Sequence, residues 1–173
     1  MTDKNNKTDR IPRDRLVAVQ SKGALSGDKK LYFIFTVFQV EEVLADLPVR
    51  PVPFTPEFLS GLCRWRKRFI PVLDLEKRFG TAPGTTKTGS RFLVLRTTTA
   101  RDAQESRIIH CALKVPDRIT TLDIKGSDRV MTAEFSLIDE QLTRGVFLYG
   151  DSVLVAPDLL TMLDMENCFY KGE

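Results

Sequence analysis

At 173 residues, with 42% apolar and 28% charged side chains, the chain has the make-up of one soluble domain or two tightly fused subdomains. A chain of this length buries about 70% of its unfolded surface, enough for a real core. The net charge of +3 is small for a strongly basic nucleic-acid binder, and the three cysteines, Cys63, Cys111 and Cys168, have neither metal-ligand nor disulfide-framework spacing.

Residues 1–14 are nearly all polar or charged and are expected to form a disordered tail. The opening Met-Thr-Asp-Lys-Asn-Asn-Lys has no apolar signal-peptide region, and runs such as residues 31–40 fall short of the roughly 20 apolar residues of a membrane span. A cytoplasmic protein without membrane insertion is therefore expected, with reduced thiols. Leu16-Val17-Ala18-Val19 reads as a first strand, residues 21–30 as a turn, and the aromatic, β-branched residues 31–37 as a second strand. Residues 39–46 are ambiguous. Val40, Val43, Leu44 and Leu47 recur at helical spacing, yet Val40-Glu41-Glu42-Val43 also continues a strand. Four prolines, 48, 51, 53 and 56, then remove backbone donors and predict an extended connector.

Residues 61–75 form the most distinctive stretch. An apolar strand leads to Arg64-Trp65-Arg66-Lys67-Arg68, returns as Phe69-Ile70-Pro71-Val72-Leu73 and ends at Asp74-Leu75. It holds the only Trp and the densest positive charge. Alternation puts Arg64 on one strand face and Cys63 and Trp65 on the other. Asp74 is placed to cap a short helix over residues 75–79, which Gly80 stops. A Gly/Thr/Pro loop follows over residues 81–90, without P-loop spacing. Residues 91–97 and 108–115 read as strands, with Ile119 and Leu122 extending the second past Pro116. Between them residues 98–106 are a polar excursion, residues 125–129 a loop and residues 132–139 a short strand. Residues 145–149 and 153–156 are strands around Gly150-Asp151. Pro157 at a helix start and Asp158 in the first turn then open an apolar C-terminal helix.

Many short strands with few, short helices predict an all-β fold of one or two small barrels. An internal echo supports two related halves. Gly61 precedes Asp74 by the same interval as Gly145 precedes Asp158, and each pair encloses strand, turn and strand. The second copy has an ordinary Gly150-Asp151 tip. The first has Arg66-Lys67 there, so its four cations are expected at an exposed tip, whether for recognition or only for solvation.

No catalytic constellation converges. His110, the only histidine, stands in an apolar strand, and its neighbour Cys111 points to the opposite face. No nucleophile elbow or zinc pattern is present, and the paired carboxylates Glu41-Glu42 have no glycosidase-like constellation around them, so neither an enzyme nor a metal or cofactor protein is expected.

The stretch over residues 40–75 resembles the CheW-like domain of bacterial chemotaxis coupling proteins. The family's aliphatic-x-Glu-aliphatic segment, proline-containing link, Gly, Asn-Leu-Arg-Gly and Pro-Val-x-Asp-Leu pattern is matched by Val40-Glu41-Glu42-Val43, the proline-rich link, Gly61, Arg64-Trp65-Arg66-Lys67 and Pro71-Val72-Leu73-Asp74-Leu75. More loosely, Asp117-Arg118-Ile119-Thr120-Thr121-Leu122 and residues 145–163 are similar to later family segments. The resemblance covers roughly residues 15–165, leaving 166–173 as a C-terminal tail. It implies two small five-stranded SH3-like β-barrel subdomains on a shared core. It also implies a non-catalytic adaptor joining a CheA-type histidine kinase to the cytoplasmic tips of methyl-accepting chemoreceptors. By motif position Glu42 and Arg66 match the family's glutamate and arginine, which lie together in the partner-binding region. Arg64, Trp65, Lys67 and Arg68 complete the expected partner site, with Trp65 facing either the partner or the junction between barrels. The chain departs from the pattern where Arg64, Trp65 and Lys67 replace Asn, Leu and Gly. If that Gly position keeps a positive φ, Lys67 costs on the order of 1–2 kcal/mol there. The basic-aromatic mix at the tip also fits a second class, a nucleic-acid-binding β-barrel using Arg64, Arg66, Lys67 and Arg68.

Overall fold

Twelve strands and two short helices lie within the residues that the computed structural model describes: 15–24, 29–81, 90–99, 107–116, 118–124, 130–132 and 138–164. The strands are β1 (Arg15–Ala24), β2 (Lys30–Thr36), β3 (Val40–Leu44), β4 (Val49–Arg50), β5 (Leu59–Trp65), β6 (Arg68–Asp74), β7 (Ser90–Thr99), β8 (Arg107–Pro116), β9 (Ile119–Asp123), β10 (Val130–Thr132), β11 (Thr143–Tyr149) and β12 (Ser152–Pro157). The helices are α1 (Leu75–Arg78) and α2 (Leu159–Leu163).

The strands form two sheets, in the orders β10-β11-β12-β2-β1-β9 and β3-β7-β8-β6-β5-β4. The second sheet is thus inserted between β2 and β9 of the first. Each sheet has six strands, one more than the five anticipated, because a short strand, β10 or β4, is added at one edge.

Each half repeats one design. The hairpin β5–β6 leads into α1, and the hairpin β11–β12 leads into α2. The second strand of each hairpin then pairs in parallel with a strand outside it, β6 with β8 and β12 with β2. The register shifts at Gly61 in one copy and at Gly145 in the other. Asp74 N–H donates to the Phe58 carbonyl at 2.7 Å, and Asp158 N–H to the Leu142 carbonyl at 2.8 Å. Both Asp side chains cap the helix that follows. Asp74 Oδ1 accepts from Lys77 N–H, and Asp158 Oδ1 from the N–H groups of Leu160 and Thr161.

Among the described residues the core divides into three apolar clusters. The largest is shared by both sheets and includes Phe33, Phe35, Leu73, Leu93, Leu113, Val155, Leu159 and Met162. The second sheet curls round its own cluster of Cys63, Trp65, Ile70, Val72, Phe92, Val94 and Ala112. The first curls round Ala18, Ile34 and Leu154, with Tyr32 and Phe147 packed against them. A central strand therefore buries both its faces, which is why Phe92-Leu93-Val94-Leu95 runs apolar without alternation.

Several expectations shift. Residues 21–24 continue β1 and are not a turn. This polar strand end is held by α1 of the other half, since Glu76 accepts from Ser21 Oγ at 3.1 Å and from Lys22 N–H. Residues 40–44 are a strand, and the proline-rich connector is not extended throughout: it holds the short edge strand β4 and then turns at Pro53-Phe54, where Phe54 has φ 59° and Thr55 Oγ1 donates to the Val52 carbonyl at 2.9 Å. Ile119 and Leu122 do not extend β8. They belong to β9, which pairs with β1 in the other sheet. Pro157 ends β12, and Asp158 is the cap of α2 instead of a first-turn residue. Of the strand expected over 132–139, only Thr132 falls in a strand, as the last residue of β10; Ile138 and Asp139 are not strand, and 133–137 lie outside the described residues. So do residues 1–14, 25–28, 82–89, 100–106, 117, 125–129 and 165–173. Among the described residues no helix is long and apolar enough to cross a membrane.

Candidate functional site: a clamped arginine at a hairpin tip

β5 and β6 pair as Cys63↔Ile70, Arg64↔Phe69 and Trp65↔Arg68, which leaves Arg66-Lys67 as a two-residue loop. Both loop residues take positive φ, 42° and 67°. That pair of values is the signature of a type I′ turn, whose backbone twist matches a right-twisted hairpin and which normally calls for Asn-Gly. In the second hairpin Gly150 occupies the place of Arg66 with φ 56°, at no steric cost.

Alternation along β5 sends Cys63 and Trp65 into the barrel and Leu62 and Arg64 outward. Trp65 is only 7% exposed. It was expected at the partner surface or between the barrels, and it sits in neither place: it caps the core cluster inside the second barrel. A buried indole needs a partner for its N–H. Here Nε1 donates to Glu42 Oε2 at 2.8 Å.

Glu42 reaches that position because β3 is irregular. Val40 pairs with Leu95 and Glu42 with Val94, so Glu41 is an extra residue in a bulge. A bulge re-aims side chains, and both carboxylates contact the same arginine. Arg66 folds back over the Trp65 ring, with its guanidinium carbon 4.5 Å from the ring centroid. Its Nη2 is 3.6 Å from Glu42 Oε2 and its Nη1 is 3.8 Å from Glu41 Oε2. From the other side, Arg96 Nη1 lies 3.5 Å from Glu41 Oε1, and its Nε donates to the Phe38 carbonyl at 2.8 Å. His110, paired across from Arg96, places Nε2 3.8 Å from Glu41 Oε1, with its ring 5.1 Å from that of Trp65.

No single contact here is strong. An exposed ion pair contributes about 0–1 kcal/mol and an exposed cation–π contact about 0.5–1 kcal/mol. Their joint effect is orientation. The guanidinium is held from one side by a ring and from another by two carboxylates, while the Arg66 side chain stays 61% exposed. The tip thus presents a positioned cation.

Of the residues anticipated from sequence, Glu42, Trp65 and Arg66 come together. Arg64, Lys67 and Arg68 are exposed and have no ion-pair partner among the described residues. Sequence reasoning missed Glu41, Arg96 and His110. The available signals were a charge ending the apolar run Phe92–Leu95 and two consecutive glutamates in a strand. The two thiols among the described residues are structural: burial raises the Cys63 pKa and pushes that of Cys111 up to about 12.

Beside the network lies a groove of about 760 Å³, lined from both sheets. Its walls include Leu16, Ile34, Phe38, Ile108 and Leu160, and Arg96 and Arg144 also line it.

Paired β-barrels on one shared core, displaying a clamped arginine and an apolar groove, define a binding scaffold. The chain belongs to the CheW-like domain family, whose model matches residues 25–170. Proteins of this family are non-catalytic adaptors of chemosensory signalling, and this chain is one of them. It is similar to the chemotaxis protein CheW of Treponema pallidum (strain Nichols), with 27% identity over 135 residues, 76% of this chain and 74% of that relative. In structure it resembles the scaffolding protein TtCheW of Thermoanaerobacter tengcongensis, with a TM-score of 0.62 over 90% of this chain and 91% of the other. At 23% identity that likeness concerns the fold. None of these comparisons supports the nucleic-acid reading of the tip, and the burial of Trp65 removes the aromatic on which that reading would stack bases.

Proposed function

We propose that the protein couples the cytoplasmic tips of methyl-accepting chemoreceptors to a CheA-type histidine kinase by binding both. On this reading it works in the cytoplasm, within receptor arrays. The observation that carries it is the clamped Arg66, exposed yet held by Trp65 and two glutamates. Such a residue loses little conformational freedom on binding, because its geometry is already set. Arg is also among the residue types that dominate interface energetics. The groove supplies a second, apolar surface, open enough for an amphipathic helix to lay one face into it. Two surfaces on one rigid core are what a coupling protein requires. Partner charge then acts mainly on orientation and association rate, and the apolar contacts act on lifetime.

The test is a three-component capture with purified proteins. An immobilised receptor cytoplasmic fragment from the same organism is expected to retain its CheA-type kinase much better when this protein is present than without it. If the protein binds neither component, the reading is wrong.

A further inference from the structure

A second face of the same hairpin is unused by the Arg66 network. On the outer side of β4, β5 and β6, Leu62 pairs with Arg50 on one strand and Pro71 on the other, and Arg64 pairs with Phe69. Leu62 is 37% exposed and Phe69 66%. They sit diagonally across neighbouring strands, within contact reach of one another. A lone exposed leucine needs no explanation. An aromatic and a leucine together, bordered by cations, form a patch that excludes little water on its own. Arg50 and Arg64 flank it on the same face, and Lys67 extends the charge to the tip. All three are exposed, and none has an ion-pair partner among the described residues.

The backbone gives an independent observation. Arg66 and Lys67 adopt positive φ where Asn-Gly would sit without strain, and the matching turn of the second half uses Gly150. Strain of this kind persists where side chains serve a purpose that glycine cannot. Arg66 has its network. Lys67 has no partner within the described residues, so its charge is available only to something outside them.

Two occupants are disfavoured. A second copy of the chain, docked by two-fold symmetry, would set cations against cations. An added strand would meet a two-residue edge followed by Pro51 and Pro53, which lack donors. Nor does the face offer the successive aromatic platforms that track a single nucleic-acid strand, since Trp65 is buried.

We infer that this outer face of β4–β6 docks a protein partner whose surface sets an apolar side chain among carboxylates. The inference rests on the coupling reading and assigns to one of its two partners a contact distinct from the Arg66 network. Phe69 and Leu62 supply the desolvated centre, and Arg50, Arg64 and Lys67 the steering charge.

The probes are the CheA-type kinase and a chemoreceptor cytoplasmic fragment from the same organism, titrated calorimetrically with the full chain at about 50 mM and about 300 mM salt, where screening differs strongly. One of the two is expected to lose at least about tenfold in affinity with Arg50→Glu/Arg64→Glu, chiefly at low salt. The same partner is expected to lose a similar factor with Leu62→Ser/Phe69→Ser at both salts, because apolar contacts are not screened. Both variants change outward-facing residues, and unchanged melting curves establish that they fold. A single Phe69→Ser change serves if a double variant melts early. If wild type binds its partners and every variant binds them within about twofold, the face is not a docking surface although the coupling reading stands. If wild type binds neither, the coupling reading fails and this one with it. Should the variants instead abolish binding to a short single-stranded oligonucleotide or to phosphatidylglycerol vesicles, with kinase and receptor binding intact, the acidic-protein occupant is overturned.

Discussion

Replacing Lys67 with glycine is expected to make the protein more stable. An L-residue in the left-handed region costs about 1–2 kcal/mol relative to the right-handed one, because its Cβ crowds the following carbonyl. Lys67 sits there with φ 67°. Glycine removes that cost but adds about 0.5–1 kcal/mol of unfolded-chain freedom. Lys67 makes no ion pair within the described residues, so no compensating contact is lost. The net gain is about 0.5–1 kcal/mol, or a rise of roughly 1–4 °C in Tm for a chain of this length. Arg66→Gly is the internal control. It relieves comparable strain at φ 42° but removes the contact over Trp65 and the two carboxylate pairs, so its net change is about zero. Urea denaturation followed by circular dichroism measures both. If Lys67→Gly lowers stability, or if the two variants behave alike, the turn does not carry this strain.

Gly61→Ala should be among the most damaging changes in the hairpin. Gly61 has φ 139°, and a Cβ there would lie 2.2 Å from the Arg50 carbonyl oxygen, so β4 must move or the strand must twist. A loss on the order of 2–4 kcal/mol in urea denaturation is expected, and a loss under about 0.5 kcal/mol would contradict the close approach of β4. Thiol chemistry supplies a separate check. With the Cys111 pKa raised to about 12 and that of Cys63 also raised, the thiolate fraction at pH 8 is very small, and it grows only as pH climbs toward those values. In a Cys168→Ser background the folded protein is expected to resist a disulfide reagent at pH 8 and to release two equivalents of thiol on unfolding in denaturant. Prompt native reaction of either thiol would mean that its strand opens.

The parts of the fold that were legible in the sequence are those set by local chemistry. Asp74 announces a helix cap, Gly61 and Gly145 mark equivalent irregularities, and the echo between them corresponds to a real repeat of hairpin and helix. What was not legible depends on distant partners. Residues 21–24 are too polar to read as strand, and they become one because Glu76, on the helix of the other half, accepts from them. Ile119 and Leu122 look like a continuation of β8, but their strand pairs with β1, more than ninety positions earlier. The site divides in the same way. A motif pointed to Glu42 and Arg66, and alternation placed Trp65 opposite Arg64. Neither could say which face of β5 was the inside of a barrel. The bulge at Glu41 breaks alternation, so two consecutive carboxylates serve one arginine, and Arg96 and His110 join them only through pairing across β3, β7 and β8.

The central claim is that a fixed, exposed Arg66 is part of the surface by which the protein couples receptor to kinase. The direct measurement compares wild type with Arg66→Glu in the receptor-dependent activation of kinase autophosphorylation, alongside the affinity of each protein for kinase and receptor. Arg66→Glu sets a third carboxylate beside Glu41 and Glu42, on an exposed tip where folding should survive. Receptor-dependent activation is predicted to fall at least about tenfold, with affinity for at least one partner reduced and the melting curve little changed. An Arg66→Glu protein that folds normally, binds both partners as wild type does and supports full activation would contradict the account.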